Sequence, residues 1–116
     1  MVIVGVDDLM FSSRISTTAR ALGTEMRFAR SPESIVEAAR SSAPSLIILD
    51  LNSQRVRPLE AVALLMADPV LATIPTVGFV SHVQADLIAQ AREAGVGQVL
   101  ARSAFVTQLP NLLRGA

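Results

Sequence analysis

The sequence predicts an α/β fold: a doubly wound (βα)₅ unit with three layers, in which helices cover both faces of a five-stranded parallel sheet. Short apolar runs of strand length alternate with longer segments whose apolar residues recur every three or four positions, the pattern of repeated βα units. The runs are continuously apolar, as in strands buried on both faces. With 116 residues and a 51% hydrophobic fraction, the chain fits one domain with a real core. Residues 1–116 therefore read as a single unit, with no internal repeat, low-complexity segment or linker.

The first strand spans Val2 to Val6, and the helix after it carries Phe11, Ile15, Ala19 and Leu22 on one face, with Gly23 where a C-terminal cap belongs. Strand two spans Glu25 to Ala29. Ser31-Pro32-Glu33 then opens a helix with a hydroxyl cap, a proline at the first helical position and an acid in the first turn. Pro44 stops it. Strand three is Leu46 to Asp50, and helix three runs from about Pro58 to Ala67, ahead of Asp68-Pro69. Strand four is Thr76 to Val80, followed by a helix marked by Leu87, Ile88, Ala91 and Ala94 and closed by Gly95. Strand five is Gln98 to Ala101. Ser103 is the expected cap of a fifth helix bearing Phe105, Val106, Leu109, Leu112 and Leu113, and Pro110 is expected to kink or break its last turn.

Charge and composition exclude several classes. Ten basic and ten acidic residues give zero formal charge, so no basic field draws this chain alone to nucleic acid or to an anionic membrane. All ten basic residues are arginine. The chain has no cysteine, hence no disulfide framework or thiol chemistry, and it shows neither a signal-type segment nor an apolar run near 18 residues. The expectation is a soluble cytoplasmic protein.

Right-handed crossovers place function at the carboxyl ends of parallel strands. Asp7, Asp8, Asp50, Ser81 and Arg102 all fall there. If strands one and three are neighbours, three carboxylates meet at one edge. Carboxylates about 5 Å apart repel by roughly 3 kcal/mol per pair at an effective dielectric near 20, so such a cluster calls for compensation. A hard divalent cation, Mg²⁺ first, is the usual compensation. The bland alternative is that these acids are solvated loop or cap residues.

This arrangement resembles the receiver domains of bacterial two-component response regulators over almost the whole chain, which implies a flavodoxin-like (CheY-like) fold. The resemblance rests on Asp7-Asp8 after strand one, Asp50 ending strand three, Ser81 in Phe79-Val80-Ser81, and the passage Ala91-Arg92-Glu93-Ala94-Gly95-Val96 leading to Val99-Leu100-Ala101-Arg102. It implies that Asp7, Asp8, Asp50 and the backbone carbonyl of Asn52 bind Mg²⁺. It also implies that Asp50 accepts phosphoryl from a histidine kinase or phosphotransfer protein, with Ser81 and Arg102 contacting the phosphoryl group. The product of such chemistry is a switched regulator acting on an output protein, rather than a turnover enzyme. A homodimer through helices four and five is implied by the resemblance alone.

Three residues and one loop depart from the family pattern. Arg102 stands where the family has lysine, and a planar guanidinium fork differs from a compact ammonium; Arg102 could bind phosphoryl bidentately or form a permanent ion pair with Asp50. Ser103 replaces the proline of a cis peptide, so the Arg102-Ser103 bond is expected to be trans. Val99 takes the place of the aromatic switch residue. The loop after Asp50 reads Ser53-Gln54-Arg55-Val56-Arg57-Pro58, without the usual Met/Leu-Pro pair and later glycine. These departures support an alternative: a degenerate pseudo-receiver acting as a phosphorylation-independent interaction module. His82 reads as an access or partner residue at the pocket rim, and Arg55 and Arg57 as a solvated charged loop or a phosphate clamp. Asp50-Leu51-Asn52 superficially resembles the haloacid dehalogenase motif, but Asn52 replaces its second aspartate and no lid insertion is visible. A Rossmann or P-loop function is excluded by Asp7-Asp8-Leu9 where a glycine-rich loop would stand.

Overall fold

The computed structural model describes residues 1–80 and 84–116. Five parallel strands form one sheet in the order β2-β1-β3-β4-β5, built from β1 (Val2–Gly5), β2 (Met26–Phe28), β3 (Leu46–Asp50), β4 (Thr76–Val80) and β5 (Gln98–Ala101). The helices are α1 (Leu9–Leu22), α2 (Pro32–Ser42), α3 (Pro58–Met66), α4 (Ala85–Ala94) and α5 (Arg102–Arg114), with a 3₁₀ turn at Leu71–Thr73. The expected five-stranded, doubly wound α/β sandwich is therefore present. None of the described helices is long and apolar enough to cross a membrane.

The period-two alternation of the strands divides the core between two faces. Ile3, Ile47 and Leu49 point into one cluster, with Ile35, Val36, Ala61, Val62, Leu65 and Ala91 from α2, α3 and α4. Val2, Val4, Leu46 and Ile48 point into the other, with Phe11, Ile15 and Ala19 of α1 and Phe105, Leu109 and Leu113 of α5. Every residue of β1, β3 and β4 is buried. This is why those runs read as continuously apolar rather than alternating.

Capping follows the sequence closely in the first half of the chain. Gly23 closes α1 in the left-handed region at φ 68°. Ser31 and Ser34 form a reciprocal capping box ahead of Pro32. Strands one and two are shorter than expected at their ends, and α3 stops one residue early. At the end of β1, the Val6 carbonyl leaves the ladder and accepts hydrogen bonds from Arg30 Nε (3.0 Å) and Ser12 Oγ (3.3 Å).

The start of α5 corrects two expectations. Ser103 is not its cap: Ala101 holds the N-cap position in extended backbone without a side-chain bond, and Arg102 is already helical. The strand thus passes into the helix with no loop between them. Pro110 does not break the helix, which continues to Arg114. Proline here removes the bond to the Val106 carbonyl, and burial of Leu109 and Leu113 on either side holds the last turns to the sheet.

Candidate functional site

Asp50 ends the central strand and is only 8% exposed. Its Oδ1 accepts the backbone N–H of Asn52 at 3.0 Å, which folds the chain into the loop 51–57. Burial raises the carboxyl above its ordinary value. The Asn52 N–H opposes this, the charges of Asp8 and Asp7 add to it, and the charge of Arg102 lowers it slightly. The carboxylates therefore act on one another across the sheet edge, as expected of neighbouring strands. β1 and β3 do pair in parallel register, Gly5 opposite Leu49.

The three acids nevertheless do not close into one ligating group. Among the described residues, no three His, Cys, Asp or Glu side chains stand close enough to hold a metal ion together. Each of the two flanking acids has a nearer compensating partner. Asp8 caps α1, its Oδ1 accepting the Phe11 N–H at 2.9 Å. Asp7 Oδ1 accepts from Arg55 Nη1 at 3.2 Å. The cap role that the bland reading assigned thus holds for Asp8 in this state. In chemical kind the donor set still fits Mg²⁺: hard carboxylate oxygens around a desolvated acid that carries too little positive charge beside it.

The loop after Asp50 is fastened from below. Leu51 and Val56 are buried, the Val56 N–H donates to Ser53 Oγ at 3.1 Å, and the Arg57 N–H donates to the Ser53 carbonyl at 3.3 Å. Leu51 occupies the space where a Cβ on Gly78 would stand, 2.8 Å from its Cδ1. A glycine inside an apolar strand signals such a close approach. Arg57 has φ 49°, a left-handed conformation. Its guanidinium reaches Glu60 (3.0 Å) and Glu33 (3.6 Å), so it belongs to an exposed network rather than to a phosphate clamp. Asn52 Nδ2 donates to Gln84 Oε1 at 3.1 Å, tying this loop to the residue before α4.

Arg102 lies at the end of β5, as expected, but no ion pair joins it to Asp50 among the described residues. The permanent Arg102–Asp50 bridge is not formed. Its guanidinium instead stands over the Phe11 ring, 4.5 Å from the centroid. Phe11 in turn packs on Phe79 (5.0 Å), and Phe79 stacks on Phe105 (4.3 Å, 16° between planes). No described peptide bond is cis, so Arg102-Ser103 is trans. Ser81 and His82 lie outside the described residues. Sequence reasoning missed the Arg55–Asp7 pair and the Phe11 seat under Arg102, both of which join residues far apart in the chain. Gly78 was the one available signal for the Leu51 contact.

No family model and no curated protein matches the sequence. Solved structures do. A response regulator from Hahella chejuensis superposes with a TM-score of 0.85 at 18% identity, over 97% of this chain and 91% of that one. The phosphorylated cyanobacterial phytochrome response regulator RcpA gives 0.79 at 24% identity (98% and 88%). The Mn²⁺-bound form of response regulator Rcp1 gives 0.76 at 20% (98% and 88%). The five strands and five helices thus share the fold of response regulator receiver domains.

Proposed function

We propose that this chain is a receiver domain of a two-component phosphorelay in the cytoplasm, with Asp50 as the phosphoacceptor. The observation that carries the reading is the environment of Asp50: a buried carboxyl at the carboxyl end of the central strand, beside two further acids whose charges bear on it. The donor is a histidine kinase or phosphotransfer protein. A carboxylate oxygen of Asp50 attacks phosphorus, the bond from phosphorus to the donor's imidazole nitrogen breaks, and that nitrogen takes up a proton. Asp7, Asp8, Asp50 and the Asn52 carbonyl would hold Mg²⁺, which when bound neutralises charge on the transferring group. The Mn²⁺-bound and phosphorylated forms of two structures sharing this fold support the assignment. Ser81 and Arg102 receive the phosphoryl oxygens, Arg102 with a fork suited to two of them.

With Mg²⁺ and acetyl phosphate, the wild-type chain is expected to gain one hydroxylamine-labile phosphoryl group by mass spectrometry, and Asp50→Asn none. Absence of labelling at saturating Mg²⁺, or equal labelling of both proteins, rejects the reading. A second reading, a phosphorylation-independent interaction module, rests on the occupied states of Asp7 and Asp8 and on Val99. It requires Asp50→Ala, still folded, to bind the output protein as well as wild type.

A further inference from the structure

Arg102 faces two acceptors for its charge. One is the Phe11 ring, over which it stands at 4.5 Å; the other is the pocket around Asp50, with which it makes no ion pair among the described residues. A ring face attracts a guanidinium modestly. A phosphoryl group on Asp50 would offer close to two negative charges and three strong acceptor oxygens, and a guanidinium meets such a group bidentately. The preference of Arg102 therefore reverses on phosphorylation.

Resting on Asp50 as the phosphoacceptor, we infer that Phe11 is a positioning residue, the resting seat of Arg102, and that Arg102 leaves this ring for the phosphoryl group. The consequence reaches α5 by two routes. Arg102 and Phe105 lie three residues apart in the first turn of that helix, and Phe11 meets Phe105 both directly, at 6.2 Å between ring centroids, and through the stacked ring of Phe79. Lifting the guanidinium uncovers one face of a three-ring cluster that includes Phe105 of the helix that Arg102 itself begins. This supplies a path from pocket to surface in a chain whose fifth strand has Val99 in place of a ring.

The test uses the side-chain Nε–H signal of Arg102 in the intact protein, with beryllofluoride and Mg²⁺ as the phosphoryl mimic and the Asn52 amide as a report that the mimic has bound. Without the mimic, the Arg102 signal should be displaced by the ring current of Phe11, normal in Phe11→Leu and displaced again in Phe11→Tyr. On addition of the mimic it should move away from the ring-shifted position, together with the Phe105 ring signals. Phe11→Leu should bind the mimic about two- to five-fold more tightly, because the competing seat is gone, and this gain should vanish in an Arg102→Ala background. A signal from Arg102 that is not ring-shifted at rest overturns the inference alone. So does a shifted signal that stays fixed while Asn52 reports binding. Failure of the mimic to perturb Asn52 in wild type overturns the phosphoacceptor reading, and the inference with it.

Discussion

Strands β3 and β5 belong to the same sheet, yet they occupy opposite extremes of burial. All five residues of β3 are buried, and it pairs on both sides. None of the four residues of β5 is buried, it pairs only with β4, and the helix before it, α4, buries Ala91 alone. Asp50 ends the first of these strands and Arg102 follows the second. The acceptor carboxyl thus ends a fully buried strand, whereas the cation that would answer its phosphorylation follows an edge strand with no buried residue. Local opening is cheapest where few apolar contacts oppose it, so the edge can respond while the centre keeps its geometry.

The sharpest way to break this contrast is to remove packing at matched sites. Leu49→Ala should destabilise the fold by about 2–5 kcal/mol, and Val99→Ala by about 1 kcal/mol or less; urea titrations that give equal losses would erase the distinction. Gly78→Ala comes next. It drives a methyl group into Leu51 and should cost about 1–3 kcal/mol, with amide shifts concentrated at Asp50 to Asn52.

Asp50→Asn should act in the opposite sense. Folding raises the carboxyl above its ordinary value of 3.8, so the native state binds its proton more tightly than the unfolded chain. The wild type carries no penalty below that value and loses stability as pH climbs through the raised native one. Thermal melts should therefore show Asp50→Asn more stable than wild type near neutrality, with the gap closing on acidification. A gap that widens toward acid would mean that the carboxylate is favoured in the fold. The smallest effect belongs to the loop. Arg57→Gly relieves a left-handed conformation worth about 1 kcal/mol and loses exposed ion pairs worth about 0–1 kcal/mol, so stability should change by less than about 1 kcal/mol.

Much of this was legible in the sequence for definite reasons. Continuous apolar runs such as Leu46-Ile47-Ile48-Leu49 can be satisfied only between two layers of helices, and Gly23, Ser31-Pro32 and Gly95 mark helix ends through local backbone chemistry that tertiary context rarely overrides. The placement of Asp7, Asp8, Asp50 and Arg102 at one edge followed from topology. Their partners did not. Asp8 uses its carboxylate on the Phe11 N–H, Asp7 meets a guanidinium 48 residues away, and Arg102 settles on a ring of the first helix. Such choices depend on the distance and direction of side chains, and apolar periodicity carries no record of either. The start of α5 was misplaced for a related reason: serine is the better cap by propensity, but the chain enters the helix two residues earlier, directly from the strand.

That direct entry makes the spacing between β5 and α5 a matter of phase. A loop can absorb an extra residue by bulging, whereas Ala101 and Arg102 stand on either side of a junction that has no slack. One residue inserted there would turn every later position of the helix by about 100°, carrying Phe105, Leu109 and Leu113 off the sheet and polar neighbours onto it. The connection between Leu22 and Met26, which belongs to no helix or strand, has no such restriction, and insertional scanning should find the two connections at opposite ends of the tolerance range.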